Sequence, residues 1–138
     1  MRIVLDTNIL ISALITKGTP PDLLYQAWLR GEIELVTSLA QLSEMAQVLA
    51  RPRLRRFVDA DEAAAIVENI GARAVVQREL PVVDLSADPD DNPILATAID
   101  GKADLLVTGD KKHLLALGVV EGIPVVTARE ALSRVAKA

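Results

Sequence analysis

The sequence predicts an α/β domain with a central, mostly parallel sheet of about five strands, covered by helices on both faces. Two observations predict it. Short β-branched runs alternate along the whole chain with segments of helical periodicity, the layout of strands joined by crossover helices. The runs Ile3-Val4-Leu5 and Leu105-Leu106-Val107 are also wholly apolar, as strands buried on both faces are. A chain of 138 residues, 51% of them hydrophobic, suffices for one ordinary core, so a single domain over 1–138 is expected.

Strands are expected at Arg2 to Leu5, Ile33 to Thr37, Ala74 to Gln77, Asp104 to Val107 and Pro124 to Val126. After the first, Asp6-Thr7-Asn8 leads into an apolar helix from Ile9 to Ile15. Thr19 before Pro20 supplies an N-cap and a first-turn proline. Leu23, Leu24, Ala27 and Trp28 then recur at helical spacing, and Gly31 is a suitable stop. Trp28 and Tyr25 on this helix suit core packing or a dimer seam. Ser38 with Gln41, and Thr127 with Glu130, fit the capping box. The helix after Ser38 carries an apolar stripe of Leu39, Leu42, Ala46 and Leu49, which places Glu44 nearly opposite, toward solvent. Arg51 to Ile70 reads as two short helices broken at Pro52 and Asp59, an accessory helical arm over about 51–70. Asn92 is expected to cap the helix of Ile94, Leu95, Ala98 and Ile99, because Pro93 disfavours helical geometry at the residue before it.

Composition removes several functions. Without cysteine, disulfides, thiolate metal sites and cysteine nucleophiles are excluded, and a reducing cytoplasm fits. Asp6, Thr7 and Asn8 interrupt the opening apolar run, so it reads as a strand and not a signal peptide; no apolar stretch is long enough for a membrane helix. With 15 Lys and Arg against 19 Asp and Glu, a net charge of −4, the chain lacks the overall charge of a nonspecific nucleic-acid binder. Aromatics at 2% leave no row of rings for stacking bases, so any grip on nucleic acid falls on its backbone. The glycine spacing of phosphate loops and dinucleotide fingerprints is missing.

The chemistry lies in acids beyond the strand ends, where the loops of a parallel sheet gather. The first strand ends in Asp6, the fourth is followed by Thr108-Gly109-Asp110, and the turn before Asn92 holds Asp88, Asp90 and Asp91. If strands one and four are neighbours, Asp6 and Asp110 project side by side, and the turn brings an acid to the same crevice. An acid alone reads as a cap or a solvated surface residue; Asp6 and Asp110 stand out because each follows a strand expected to be buried on both faces, and spacing leaves open which aspartate of the turn faces inward. Crowded carboxylates hold protons or share cations. Oxygen donors without cysteine suit Mg2+ or Mn2+. Such an ion polarises a phosphoryl oxygen and lowers the pKa of a bound water, which is phosphodiester hydrolysis chemistry.

Asp6-Thr7-Asn8 with Ser12-Ala13, the helix of Glu44 followed by Arg51-Pro52, Asp88-Pro89-Asp90-Asp91-Asn92, and Thr108-Gly109-Asp110 occur in an order and spacing that resembles the PIN-domain proteins. The likeness spans essentially the whole chain and is closest to the bacterial branch described as toxin components of toxin-antitoxin systems. Each motif alone is weak; four in sequence are specific. The resemblance implies a three-layer α/β/α fold and a Mg2+- or Mn2+-dependent endoribonuclease whose acidic residues match Asp6, Glu44, Asp91 and Asp110. It thereby raises Glu44 above its surface reading and favours Asp91 over Asp90. Asn8 and Thr108 match positions whose hydrogen bonds orient the carboxylates, with Asp88 and Asp90 in supporting roles in the turn. It also implies an RNA substrate, an antitoxin partner encoded beside the gene, and a homodimer.

Phosphate approach to an acidic cleft needs local positive charge. Arg51 and Arg53, with Arg55 and Arg56, crowd the arm, while Lys111, Lys112 and His113 follow Asp110. Either cluster also reads as a solvated face. A lone histidine beside two lysines reads as exposed more readily than as a general base. The alternative function is a catalytically silent PIN scaffold that binds RNA or a protein partner. A phosphoacceptor receiver needs paired acids near the start of the chain, where Asp6 stands alone.

Overall fold

The computed structural model describes residues 1–110 and 112–137. Strands β1 (Arg2–Leu5), β2 (Glu34–Ser38), β3 (Val75–Gln77), β4 (Leu105–Val107), β5 (Val119–Val120) and β6 (Ile123–Val126) form one sheet in the order β3-β2-β1-β4-β6-β5. All pairings are parallel except the β5–β6 hairpin. The sheet thus holds one strand beyond the five read from the sequence. Its two-residue β5 is too short for periodicity to register. The hairpin turn places Glu121 and Gly122 both at positive φ, 49° and 79°, the twist that a two-residue turn between right-twisted strands requires.

Among the described residues, seven helices cover the sheet: α1 (Thr7–Ile15), α2 (Pro20–Leu29), α3 (Leu39–Leu49), α4 (Ala60–Arg73), α5 (Asn92–Asp100), α6 (Leu114–Leu117) and α7 (Ala128–Lys137). Alternation along β1 divides the core. Ile3 and Leu5 pack with α1, α2 and α7, whereas Val4 packs with Val36, Leu106 and the α5 residues Ile94, Leu95 and Ala98. The register pairs Val4 with both Val36 and Leu106, so that second core is one cross-strand row capped by a helix. Among the described residues, no helix is long and apolar enough to cross a membrane.

The arm differs from two short helices. After Pro52 the chain makes only a 3-10 turn, Leu54–Arg56, and then the fourteen-residue α4, which runs past Ile70 to Arg73. Asp59 and Glu62 form a complete capping box, which starts a helix strongly enough to sustain that length. Leu54, Val58 and Ala63 pack against Ile11, Val48 and Leu49, so the segment is sealed onto α1 and α3. The two expected capping boxes are half formed: Ser38 and Thr127 accept from the Gln41 and Glu130 amides, but Gln41 and Glu130 turn elsewhere, to Leu5 and Arg134. Thr19 occupies the N-cap without a side-chain cap bond.

Asn92 also departs from expectation. It lies inside the helix, at φ −62° and ψ −36°, with a 3-10 turn (Pro89–Asp91) running into α5. Its Oδ1 accepts from the Leu85 and Ser86 amides, and those loop bonds offset the steric bias imposed by Pro93. At the other end of α5, a Cβ on Gly101 would stand 2.4 Å from Val36 Cγ1 and 3.0 Å from Thr97 O. Val36 is fully buried mid-sheet and cannot yield cheaply. Gly101→Ala is therefore expected to lower stability by about 1–3 kcal/mol, read as a drop in the urea midpoint.

Candidate functional site

Strand order decides where the acids meet. With β1 and β4 adjacent and parallel, Asp6 and Asp110 leave the sheet at the same edge, on either side of the point where strand order reverses. A cleft of about 400 Å³ opens there, lined by Asp6, Glu44, Asp90, Asp91 and Asp110 together with Thr7, Asn8, Ser38, Gln41, Arg51 and Thr97. Among the described residues, Arg51 is the single cation of the lining.

Asp6 is the N-cap of α1. Its Oδ1 accepts from the Thr7 amide at 2.8 Å and its Oδ2 from the Thr108 hydroxyl at 2.9 Å. Thr108, fully buried, also accepts from the Asp110 amide at 3.1 Å, so one hydroxyl ties both strand ends together. Burial pushes the Asp6 carboxyl above its usual range; the bonds from Thr108 and Thr7 oppose this, and the charges of Glu44 and Asp91 add to it. Beside it the Thr7 hydroxyl is buried with no hydrogen-bond partner among the described residues.

Asp91 is raised likewise, first by burial, with Asp110 and Asp88 pressing on it and the Ser86 hydroxyl and His113 opposing. Ser86 donates to Asp91 Oδ2 at 3.1 Å and accepts from the Asp88 amide at 3.2 Å. Asp110 is lowered, because the His113 and Lys112 amides both donate to its Oδ1. His113 Nδ1 lies 3.6 Å from Asp110 Oδ2.

Four of the expected acids, Asp6, Glu44, Asp91 and Asp110, thus share the cleft with Asn8, Asp90 and Arg51. Asp90 is exposed, and Asn8 makes no hydrogen bond to a carboxylate among the described residues. Asp88 lies just outside the cleft lining and caps the 3-10 turn through the Asp90 amide. Arg53 and Lys112 are exposed and outside it, and Lys111 falls outside the described residues. Glu44 is solvent-accessible, as its periodicity implies, yet it lines the cleft. The expected stripe was displaced: the inward face of α3 is Gln41, Met45, Val48 and Leu49, while Leu39 is 45% exposed. That face lies about a quarter of a turn from the stripe of leucines, which moves Glu44 from the back of the helix to its flank.

Sequence reasoning missed Gln41, Ser38, Thr97, Thr7 and Ser86, whose polar character gives no sign of burial. It also undervalued His113. Among the described residues, the donors close enough to share one ion are Asp88, Asp91 and His113, with ligand atoms all within 4.8 Å of one another.

The comparisons with known proteins agree with this architecture. The family model of the PIN domain matches residues 2–112. The uncharacterized protein MJ1680 of Methanocaldococcus jannaschii is 28% identical over 112 residues, 80% of this chain and 72% of that protein. PAE2754 from Pyrobaculum aerophilum has the same fold, with a TM-score of 0.62 at 17% identity over 99% of this chain and 90% of its own. VapBC2 from Rickettsia felis, solved bound to a DNA fragment from their promoter, gives 0.55 at 17% identity over 91% and 97%. At such identities the two structures speak for the fold alone. The match to the family model, over most of the length, settles membership: the chain belongs to the PIN-domain family.

Proposed function

We propose that the protein is a metal-dependent endoribonuclease and the toxin of a toxin-antitoxin module. One observation carries this reading: Asp6, Glu44, Asp91 and Asp110, from four separate stretches of chain, line a single cleft in which Arg51 is the one cation among the described residues. Carboxylates held together without matching cations favour a shared dication. The raised Asp6 and Asp91 carboxyls register burial first, with the charges of neighbouring acids adding to it. The donor set, all oxygen apart from the nearby His113, fits Mg2+ or Mn2+. Asp6, Glu44, Asp91 and Asp110 would hold the ion by drawing together around it, since among the described residues only Asp91 of these four, with Asp88 and His113, already stands within one ion's reach; the ion would supply Lewis acidity toward the phosphoryl group and a water of lowered pKa.

The chain's own groups set the geometry. Thr7 and Thr108 fix both oxygens of Asp6, Ser86 fixes Asp91, and the Lys112 and His113 amides fix Asp110. These bonds orient Asp6, Asp91 and Asp110 before substrate arrives. Arg51, on the cleft wall, would bind a backbone phosphate. Among the described residues the cleft lining contains no aromatic side chain, which suits contact with the sugar-phosphate chain more than stacking on bases.

The test is incubation of the purified chain with end-labelled RNA and, in parallel, single-stranded DNA, in Mg2+ or Mn2+. Cleavage of RNA that stops on EDTA addition is expected. Metal binding without cleavage of any RNA in a complex mixture would favour the silent scaffold instead. Growth arrest on induction in a bacterial host, relieved by co-expression of an adjacent small gene, would test the toxin role and the antitoxin partner; sedimentation would test the homodimer. Arg51→Gln is expected to raise KM for RNA about tenfold with kcat little changed, the effect of losing one charge-assisted phosphate contact. Arg53→Gln and Lys112→Gln, outside the cleft, should change KM less than about twofold. Steady-state kinetics on one RNA distinguishes these outcomes.

A further inference from the structure

We infer that Gln41 is a positioning residue of the acidic cleft, whose buried amide sets the spacing between Asp6 and Glu44. The inference rests on the metal-binding reading of that cleft. Gln41 is 5% exposed and makes hydrogen bonds in three directions. Its Nε2 donates to Leu5 O at 2.6 Å, its Oε1 accepts from the Thr37 hydroxyl at 2.6 Å, and its backbone amide donates to Ser38 Oγ at 3.1 Å. Leu5 immediately precedes Asp6, and Glu44 lies three residues along α3 from Gln41, on the adjoining turn of the same helix side.

The network reaches a third carboxylate. Ser38 Oγ and Thr97 Oγ1 are hydrogen-bonded at 3.0 Å, and Thr97 donates to Pro93 O at 2.8 Å, two residues beyond Asp91. A chain of buried polar groups therefore crosses the floor of the cleft from β1 through β2 and α3 to α5. Thr37, Ser38 and Thr97 are all essentially inaccessible to solvent. Gln41 is the one member with bonds to both the β1 exit and the β2 end.

Its placement is costly for folding alone. The β1–β2 register ends at Val4 and Val36, so Leu5 O lies past the last paired residues and takes its partner from a side chain. A buried primary amide must satisfy every polar atom to break even, whereas an apolar residue of similar length would fill the space without that demand. What the amide adds is direction: it forbids α3 from sliding along or turning against β1, and so fixes where Glu44 stands relative to Asp6. Partners of this kind, one step behind the ligands, typically change metal affinity by 10–100-fold when removed.

Gln41→Met keeps the length and removes the amide. Mn2+ titration followed by electron paramagnetic resonance is expected to show affinity weakened about tenfold or more, with part of the lost RNA cleavage restored at high Mn2+. Val125→Ala, in the core on the other face, serves as the comparison for general destabilisation: it should lower the melting temperature and leave Mn2+ affinity as it was. If Gln41→Met binds Mn2+ within twofold of the parent, the residue is merely structural and the inference falls. Should Gln41→Met fail to fold, Thr37→Val decides, since it removes only the hydroxyl that orients the amide. A weakening of about threefold or more then supports the inference, and unchanged binding overturns it. A parent protein that binds no Mn2+ defeats the reading of the cleft itself, a result distinguishable from either variant's behaviour.

Discussion

Asp6→Asn is expected to lower metal-dependent RNA cleavage at least about 1,000-fold, the factor that corresponds to losing some 4 kcal/mol of transition-state stabilisation. Asp6 is the acid at which most of the site's constraints meet. It follows the last residue of β1, at the N-cap of α1, and the charges of Glu44 and Asp91 both bear on it. The substitution keeps the shape and leaves an oxygen to accept from the Thr7 amide, so the helix cap survives. It deletes the charge and turns one acceptor into a donor facing Thr108, which already accepts from the Asp110 amide. The fold should therefore persist, with circular dichroism and a cooperative melt like those of the parent, while Mn2+ affinity collapses. A folded Asp6→Asn protein that still cleaves at the parental rate would remove this residue from the proposed mechanism.

The acidic edge was legible because it needs only strand order. Two wholly apolar strands each followed by an aspartate, and an acid-rich turn before a helix, must converge once β1 and β4 are neighbours. Glu44 was harder, for a reason local to α3. Gln41 is buried by partners on β1 and β2, while Leu39 stands half in solvent. A pattern that equates apolar with inward therefore turns the helix by about a quarter revolution. Asn92 went the same way: bonds to Leu85 and Ser86 outweighed the preference imposed by Pro93. In each instance the deciding contact joins residues distant in sequence or in different elements, and single-sequence periodicity carries no information about it. The hairpin partner of β6, the two-residue β5, was missed on length alone.

The second large effect is on stability. Mg2+ or Mn2+ at about 100 times its dissociation constant should add about 2.7 kcal/mol to folding stability, a rise of roughly 8 °C in melting temperature for a chain of this size. The rise should depend on pH in a defined direction. Asp6 and Asp91 both have carboxyls raised from 3.8 in the folded state. Between 3.8 and those raised values the native protein holds more protons than the unfolded chain, so the metal-free protein loses stability as pH increases through that interval, and the penalty remains above it. Asp110 and Asp59 are lowered from the same reference; what they contribute is present above 3.8 and disappears only as pH falls through their lower values. The two groups thus act in separate windows, and the interval above 3.8 belongs to the strained pair. A dication binds the ionised carboxylates and relieves their repulsion, so its stabilisation should be largest near neutrality and fade toward pH 4, where protons compete for the same oxygens. Calorimetric melts with and without Mn2+ across that range check it. A metal-induced shift that does not vary with pH, or one of equal size in Asp6→Asn, would show that the ion binds somewhere other than this cleft.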